Sequence, residues 1–355
     1  MILSSFSYKT SGWELTEMNS LKLTNLLVGK NAAGKTRIIR ALQNVTSYMR
    51  MESFLFQEGF FKAKMQFANI EDANWWLTYM FEIEKGDVKA EQLIVCGKTL
   101  IKRDAQKALL RGDVINPPKD KLVAQVRRDK EEYPDVEALM EWAEGVIAIS
   151  CSDINPYTIL NGRPGYINPI PFSALVEILS KEDKKTVIDE AKRLGYDLTD
   201  IALVNANSEL KLVAVIERNI QNGILDFQLS SGMIRVLYIL CFLEYVKHEK
   251  TYSMLLIDDL GEGLDYSRVI HLGRKVFKVC EQEIKQLIAS SNESFLMDVV
   301  DIAKWQIVRR KNSKLSVINQ TNMPELFNEF RMTGLSNFDL FSSDFIDNFI
   351  ARSAE

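Results

Sequence analysis

The sequence predicts an α/β protein with a mixed sheet, an antiparallel β subdomain and a helical insertion. Strand-like apolar runs alternate with helix-like stretches near both ends of the chain. Residues 76–95 form two strand-like runs around Lys85-Gly86-Asp87, a sequence typical of a β-hairpin. From about residue 104 to residue 199 the sequence is rich in charged residues, and its apolar positions recur at helical spacing. We therefore divide the chain into an N-terminal lobe (1–103), a helical insertion (104–199), a C-terminal lobe (200–320) and a tail (321–355).

The composition excludes several classes of protein. The 355 residues carry 44 Lys and Arg against 48 Asp and Glu, so the formal net charge of −4 excludes a globally basic nucleic-acid binder. Four scattered cysteines and two histidines predict neither a disulfide framework nor a zinc site. The chain has no apolar run of the roughly 20 residues that span a membrane and no signal-peptide pattern. We therefore expect a cytoplasmic protein without a membrane partner.

A phosphate-binding loop is predicted at residues 29–36. The sequence Gly29-Lys30-Asn31-Ala32-Ala33-Gly34-Lys35-Thr36 matches G-x-x-x-x-G-K-[ST] in full, between a strand-like run and a helix-like run that begins at Arg37. Glycines let backbone N–H groups converge on phosphate oxygens, and the helix N-terminus adds partial positive charge. Lys35 is predicted to reach the β- and γ-phosphates and Thr36 to bind Mg²⁺. We include Arg37 among the nucleotide-binding residues.

The run Met254-Leu-Leu-Ile-Asp258-Asp259 predicts the second half of the same site. An apolar run is typical of a buried parallel strand, and ligands of α/β folds lie at the C-terminal ends of such strands. Asp258 is predicted to hold Mg²⁺, directly or through water, and Asp259 to face the attacking water. The alternative is a core strand that ends in a solvated acidic turn, but a phosphate loop in the same chain makes that alternative weaker.

The sequence Leu229-Ser230-Ser231-Gly232-Met233 resembles the signature loop L-S-G-G-Q of the ATP-binding-cassette class. It matches at its first, second and fourth positions and opens an apolar helix, whose N-terminus is an anion site. The alternative interpretation is an ordinary helix cap. The resemblance implies that Ser230, Ser231 and Gly232 contact the nucleotide bound by a second subunit.

A second cassette motif follows the strand that carries Asp258. Residues 258–265 align without gaps to D-E-P-T-S-G-L-D and match it at Asp258, Gly263, Leu264 and Asp265. The resemblance implies that Asp265 belongs to the D-loop, which contacts the opposite subunit. It also implies ATP and Mg²⁺ as cofactors and a homodimer, or a higher homo-oligomer, that closes through the ATP sites.

Within this class the chain resembles SMC-type and OLD-type ATPase heads more than transporter cassettes. The phosphate loop carries Asn31, as those heads do, and an N-terminal hairpin leads directly into it. The signature has the relaxed form L-S-S-G-x-x-R, with Arg235 at the basic position. The resemblance covers residues 1–102 and 200–310.

Two departures from the cassette pattern predict slow hydrolysis. The catalytic Glu is replaced by Asp259, whose shorter side chain reaches the water less well, and Glu262 is a candidate to share its role. The switch His is absent, and Ser291 and Asn292 are the candidates to hydrogen-bond the γ-phosphate in its place. The cassette pattern also includes a glutamine in a segment called the Q-loop, and Gln57 and Gln66 are both candidates for it.

The biological role is open between three interpretations. The first is a switch, sensor or scaffold for a separately encoded effector, since stand-alone bacterial heads of this kind are often paired with one, notably in phage defence. We expect no C-terminal nuclease like that of OLD relatives.

The second interpretation is a DNA-repair or DNA-processing ATPase, which the basic segment 304–314 supports. The alternative interpretation of this segment is a hairpin at a sheet edge that is protected by its charges. The third is a nucleotide-binding module that does not hydrolyse ATP. The Phe-rich tail is predicted to pack on the core or to dock a partner.

Overall fold

The computed structural model describes residues 1–51, 59–156, 170–206, 210–218, 220 and 222–353. Within them, one 14-stranded mixed sheet runs from the N-terminal to the C-terminal part of the chain, and a separate three-stranded antiparallel sheet is also present. The strands are β1 (Ile2–Thr10), β2 (Glu14–Met18), β3 (Thr24–Val28), β4 (Phe60–Ala68), β5 (Trp76–Glu84), β6 (Asp87–Val95), β7 (Lys98–Arg103), β8 (Ala108–Leu110), β9 (Asp113–Ile115), β10 (Val146–Ser150), β11 (Leu198–Asn205), β12 (Lys211–Glu217), β13 (Ile224–Leu225), β14 (Met254–Asp258), β15 (Gln286–Ser290), β16 (Trp305–Lys311) and β17 (Lys314–Ile318).

The described helices lie between these strands and after the last of them. They are α1 (Lys35–Met49), α2 (Val123–Val126), α3 (Pro134–Glu144), α4 (Phe172–Ile178), α5 (Lys181–Arg193), α6 (Ser231–His248), α7 (Tyr266–Gln282), α8 (Ser294–Val299), α9 (Pro324–Met332), α10 (Asn337–Ser342) and α11 (Phe345–Ser353). Two short 3₁₀ helices cover Asp226–Gln228 and Ile302–Lys304. In the part of the chain that is described, no helix combines the length and the apolar character that a membrane crossing requires.

Five neighbouring parallel strands form the core of the large sheet, in the order β10-β14-β15-β3-β16. Every residue of β10, β14, β15 and β3 is buried, as expected for parallel strands that are covered on both faces. Because parallel strands end at the same edge of a sheet, the loops that follow β3, β14 and β15 meet there. This edge carries the candidate site.

Two apolar layers cover the two faces of this core. In β3, Leu26 and Val28 belong to one buried cluster and Leu27 to the other, because successive side chains of a strand point to opposite faces. Helix α1 packs in the cluster of Leu27, together with the antiparallel strands. Helices α6 and α7 pack in the other cluster, and α6 is buried around most of its circumference, as expected of a core helix.

The antiparallel half of the sheet continues from β16 in the order β17-β2-β1-β4-β5-β6-β7-β8-β9. The predicted hairpin between β5 and β6 is present, and its turn residues Lys85 and Gly86 have φ angles of 52° and 85°. Gly86 suits this left-handed turn because it has no Cβ. The small sheet of β11, β12 and β13 is also antiparallel.

Residues 104–199 are not a purely helical insertion, and this part of the prediction is wrong. They supply β8 and β9 to the antiparallel strands and β10 to the core, where β10 pairs with β14. The helical pattern predicted for residues 136–146 extends into the first residue of β10, so the sequence does not show where this strand begins. Gly145 follows α3, and no side chain fits at this position because a Cβ would lie 2.3 Å from the Thr251 carbonyl oxygen. The run that follows it is apolar and rich in β-branched residues, which is typical of a buried strand.

The basic segment forms a strand–turn–strand, as predicted, but it is not a sheet edge. Strand β16 lies between β3 and β17, and β17 lies between β16 and β2. The interpretation as a charge-protected edge hairpin is therefore wrong. The tail packs on the core, which was one of its two predicted roles. Its buried residues join the cluster of α6 and α7, and they are Leu326, Phe327, Phe330, Leu340 and Ile346.

Both histidines connect α5 to neighbouring helices. The Nε2 atom of His248, at the end of α6, lies 2.8 Å from Oδ1 of Asp183. The Nε2 atom of His271, on α7, lies 2.9 Å from Oε2 of Glu190. The hydrogen bond with Asp183 raises the pKa of His248. The two rings therefore act as contacts between helices, away from the sheet edge that carries the candidate site.

We predict that His248→Gln lowers the melting temperature at about pH 5.5 and leaves it unchanged at about pH 9. The pKa of His248 in the folded protein lies above the value of about 6.5 in the unfolded chain. Its charged pair with Asp183 therefore stabilises the fold fully below about pH 6.5, and this contribution is lost as the pH rises through the raised pKa. Because the ring is mostly exposed, we expect a loss of about 1–2 °C. Calorimetry at both pH values measures it, and equal losses would contradict the electrostatic role.

Candidate nucleotide-binding site

The loop of residues 29–36 connects the end of β3 to the start of α1, as predicted. Ala32 and Gly34 have left-handed φ angles of 63° and 108°, which fold the loop back on itself. A Cβ on Gly29 would lie 2.8 Å from the carbonyl oxygen of Val308. A Cβ on Gly34 would lie 2.8 Å from Cδ1 of Leu315. Gly29 is thus required because the loop passes close to the backbone of β16, and Gly34 is required by its left-handed φ angle.

The side chain of Lys35 is buried within this loop, with 6% of its surface exposed. Its Nζ atom donates to the carbonyl oxygen of Gly29 (2.7 Å) and to Oδ1 of Asn292 (2.6 Å). Burial lowers the pKa of Lys35, and the negative charges of Asp259 and Asp258 oppose this change. The amine therefore stands at the loop with neutral oxygen partners, which phosphate oxygens can replace.

The carboxylate of Asp258 lies at the end of β14 and is 2% exposed. Its Oδ1 accepts hydrogen bonds from Oγ1 of Thr36 (3.2 Å) and from Oγ of Ser290. Neighbouring oxygens around an octahedral Mg²⁺ lie about 3 Å apart, because each Mg–O distance is about 2.1 Å. The separation between Thr36 and Asp258 is close to this value, so the pair fits adjacent positions on one Mg²⁺.

Protein groups alone do not make a complete metal site here. Among the described residues, no three or more His, Cys, Asp or Glu side chains are grouped so that they could hold a metal ion. Mg²⁺ commonly keeps several waters and binds one or two protein oxygens together with substrate phosphates. Thr36 and Asp258 match that kind of site.

Ser290 is a site residue that the sequence analysis missed. It is fully buried at the end of β15, and its hydroxyl also accepts a hydrogen bond from the backbone N–H of Asp259 (2.9 Å). Asp259 has a φ angle of 55°, an uncommon conformation for a residue with a side chain. One hydroxyl thus orients both Asp258 and Asp259. The available signal was a polar residue at the C-terminal end of an apolar strand.

Asp259 has the electrostatic environment expected of a general base. Burial, with the nearby charges of Asp258 and Glu262, raises its pKa to about 6. A carboxyl group with a pKa closer to neutrality accepts a proton from water more readily. Glu262 is exposed in the turn after Asp259, and its charge also contributes to a raised pKa at Glu293. The catalytic roles of Asp259 and Glu262 stay predictions.

The two candidate switch residues have different surroundings. Asn292 contacts Lys35, as described above. The hydroxyl of Ser291 is fully buried, donates to the carbonyl oxygen of Leu260 (2.8 Å) and accepts from the N–H of Glu293 (3.0 Å). Because these backbone groups occupy that hydroxyl, we keep only Asn292 as a candidate switch residue.

The signature residues cap helix α6. Oγ of Ser230 accepts a hydrogen bond from the N–H of Met233 (3.2 Å), and Ser230 and Ser231 are exposed. This exposed helix N-terminus is suited to bind an anion. Gly232 lies near the D-loop, since a Cβ there would be 3.5 Å from the carbonyl oxygen of Gly263.

The D-loop is held by α6 of the same chain. The Nη1 atom of Arg235 donates to the carbonyl oxygen of Glu262 (2.9 Å), and it lies only 2.6 Å from where a Cβ on Gly263 would be. Asp265 caps α7 by accepting from the N–H of Arg268 (3.1 Å). Arg235 of α6 therefore holds the turn that follows β14.

Two further predictions concern the basic segment 304–314 and the Q-loop glutamine. In the basic segment, Lys304 forms an ion pair with Glu281, and Arg309 forms one with Asp347. These acids come from other parts of the fold and reduce the net positive charge of the segment. Of the two Q-loop candidates, Gln66 lies within β4, and Gln57 lies outside the described residues.

Solved structures with a similar fold are SMC head domains. The SMC head bound to the C-winged helix domain of ScpA has 12% sequence identity and a TM-score of 0.54, covering 91% of this chain and 100% of that chain. The SMC head domain from Thermotoga maritima has 10% identity and a TM-score of 0.46, with 90% and 99% coverage. An SMC head with an extended coiled coil, bound to the C-terminal domain of ScpA derived from Pyrococcus furiosus, has 10% identity, a TM-score of 0.49 and coverage of 93% and 99%.

The first of these structures confirms the predicted fold class. The chain has the fold of an SMC head, which is an ABC-type P-loop ATPase fold with a large mixed sheet. No protein-family model matches the sequence, and no curated protein matches it.

We predict that Asp259→Asn raises the melting temperature of the nucleotide-free protein at about pH 8 but not at about pH 4. The pKa of Asp259 is about 6 in the folded protein, above the usual value of about 3.9 in an unfolded chain. The folded state therefore holds this proton more tightly, and ionisation costs stability as the pH rises from about 4 to about 6. Asn removes that cost, and we expect a gain of about 1–3 °C.

Asp113→Asn on β9 is the matched control for this measurement, because Asp113 is exposed and lies on a strand outside the site. Thermal unfolding followed by circular dichroism compares both variants at the two pH values. An equal gain for Asp113→Asn, or no gain for Asp259→Asn at the higher pH, would contradict the proposed cost of ionising Asp259.

Proposed function

We propose that the protein is an ATP-binding head that hydrolyses ATP slowly and forms a homodimer around two nucleotides. The observation that carries this proposal is the hydrogen bond between Thr36 and Asp258, two residues that are 222 positions apart in the sequence. It brings the phosphate loop and the carboxylate of Asp258 into a single site with Lys35. This arrangement provides the cation, the Mg²⁺ ligands and the loop N–H groups that bind a nucleoside triphosphate.

Each group in the site has a role that follows from its chemistry. Lys35 and the loop bind the phosphates, and Thr36 and Asp258 hold Mg²⁺, which neutralises charge on the phosphates when it is bound. Asp259 orients the attacking water and accepts its proton. Its side chain is one methylene shorter than the Glu of the cassette pattern, and Asn292 carries no positive charge for the γ-phosphate. We therefore expect turnover to be slow and the ATP-bound state to be long-lived.

Dimerisation is supported by the exposure of the signature residues. Ser230 and Ser231 stand at the solvent-facing N-terminus of α6, where a phosphate from a second subunit would find N–H groups and the helix dipole. A γ-phosphate shared between two subunits makes closure of the dimer depend on nucleotide state. ATP binding closes this dimer, and hydrolysis or release opens it.

The dimer acts as a switch for a separate effector protein. Support comes from the sequence resemblance to stand-alone bacterial heads, for which phage defence is the notable context. The SMC head of similar fold is itself bound to a domain of another protein, ScpA. We extend to this chain only the idea that a head of this fold works through a protein partner.

We predict that Lys35→Ala weakens ATP binding at least tenfold, because it removes the buried cation of the loop. Isothermal titration calorimetry with Mg²⁺ and ATP measures the effect. Arg40→Ala is the matched control, since Arg40 is an exposed cation on the same helix α1 and should leave the affinity unchanged. Wild-type affinity in Lys35→Ala would show that nucleotide binds elsewhere or not through this loop.

We predict that Ser230→Arg abolishes ATP-dependent dimerisation while ATP binding by the monomer is retained, because the bulky side chain blocks the exposed N-terminus of α6. Light scattering with and without Mg²⁺ and ATP measures the mass of the particle. Ser180→Arg is the matched control, because Ser180 is also an exposed N-cap and loses the same kind of hydrogen bond. A Ser230→Arg protein that dimerises like wild type would contradict the proposed interface.

A further inference from the structure

A single carboxylate of the tail is paired with a cation of the phosphate loop and with a cation of β16. Oδ2 of Asp347 lies 4.0 Å from Nζ of Lys30, and Oδ1 of Asp347 accepts a hydrogen bond from Nη2 of Arg309. Asp347 lies in the first turn of α11, and Lys30 is the second residue of the loop. The tail is therefore tied by charge to the element that is predicted to hold the phosphates.

A cavity of about 530 Å³ lies between the tail and this loop. Its walls are loop residues 29–33, the end of β16 and tail residues that include Phe341 and Ile346. The open space means that the tail is not closely packed against the loop along this boundary. The ion pairs of Asp347 connect the two sides at this boundary, whereas the buried apolar residues of the tail, such as Phe327 and Phe330, pack in the cluster of α6 and α7.

The pair between Arg309 and Asp347 leaves one hydrogen-bond donor unsatisfied. In the described part of the chain, Nη1 of Arg309 is buried and has no hydrogen-bond partner. A buried N–H group without a partner costs free energy, so this arrangement of the guanidinium is less stable than a fully paired one. The unsatisfied N–H thus favours the exchange of Asp347 for an anion that pairs the guanidinium more fully.

We propose that Asp347 sets the nucleotide affinity of the phosphate loop by competing with bound phosphates for Lys30 and Arg309. The proposal rests on the proposed function, because it concerns the regulation of the same site. A nucleoside triphosphate brings several negative charges to the loop, and these repel the tail carboxylate and attract its two cations. By thermodynamic linkage, a tail that weakens nucleotide binding must itself be loosened when the nucleotide binds.

We expect Asp347→Asn to bind ATP about two- to fivefold more tightly than wild type at about 50 mM NaCl. Calorimetric titration of the full chain with Mg²⁺ and ATP measures the Kd. The difference should shrink at about 0.5 M NaCl, because salt screens partly exposed charges. Asp347→Glu keeps the charge and should bind like wild type.

Asp344→Asn is the matched control, because it removes the same charge just before α11 and the structure describes no ion pair between Asp344 and the loop. It should bind ATP with the affinity of wild type. Tighter binding by Asp344→Asn and Asp347→Asn alike would show a general effect of net charge and would overturn the specific role of Asp347.

Hydrogen exchange of residues 337–353 tests the reciprocal effect. We expect ATP with Mg²⁺ to increase exchange there in wild type, whereas Asp347→Asn exchanges quickly with or without ATP. Equal Kd values for wild type and Asp347→Asn would overturn this inference but not the proposed function. The same holds if hydrogen exchange of the wild-type tail is the same with and without ATP. A wild-type protein that binds no ATP would overturn the proposed function and this inference with it.

Discussion

The carboxylate of Asp258 is the point on which the geometry of the site depends. A buried carboxylate is costly unless hydrogen bonds satisfy it, and the hydroxyls of Thr36 and Ser290 supply them here. These hydroxyls belong to the start of α1 and to the end of β15. Satisfying one charge therefore fixes three elements relative to each other. The backbone of Asp259 is fixed with them, because its N–H donates to the hydroxyl of Ser290.

The sequence predicted the residues that a motif specifies and missed those that depend on strand pairing. The types and spacing of Lys35, Thr36 and Asp258 are dictated by phosphate and Mg²⁺ chemistry, so they are visible in one sequence. The role of Ser290 exists only because β14 and β15 pair in parallel, with Ile257 opposite Ala289. Strand β10 was missed for a related reason. Its five residues follow a helical pattern directly, and the backbone contacts that require Gly145 come from residues more than 100 positions away.

The ion pairs of the basic segment could not be predicted from its own sequence, because their acidic partners lie far away in the chain. The segment 304–314 contains five cations and no acid, which left it open between a patch that contacts phosphates and a charged hairpin edge. In the folded chain, Glu281 of α7 and Asp347 of α11 lie beside Lys304 and Arg309. The same fold that brings the nucleotide-binding motifs together thus brings acids to this segment. The position of β16 between β3 and β17 then places the segment next to the phosphate loop, which follows β3.

The sequence resemblance assigns Asn292 to the position of the cassette switch His, and its side chain contacts Lys35. Because a lysine ammonium has only donors, the amide of Asn292 presents its oxygen to Nζ of Lys35. With the Gly29 carbonyl, this neutral oxygen holds the amine in place within the loop. A cationic residue in the same position would repel Lys35 and favour the phosphate-bound arrangement more strongly. Asn292 therefore holds Lys35 in place within the loop without adding positive charge for the γ-phosphate, which is in line with the slow turnover that we propose.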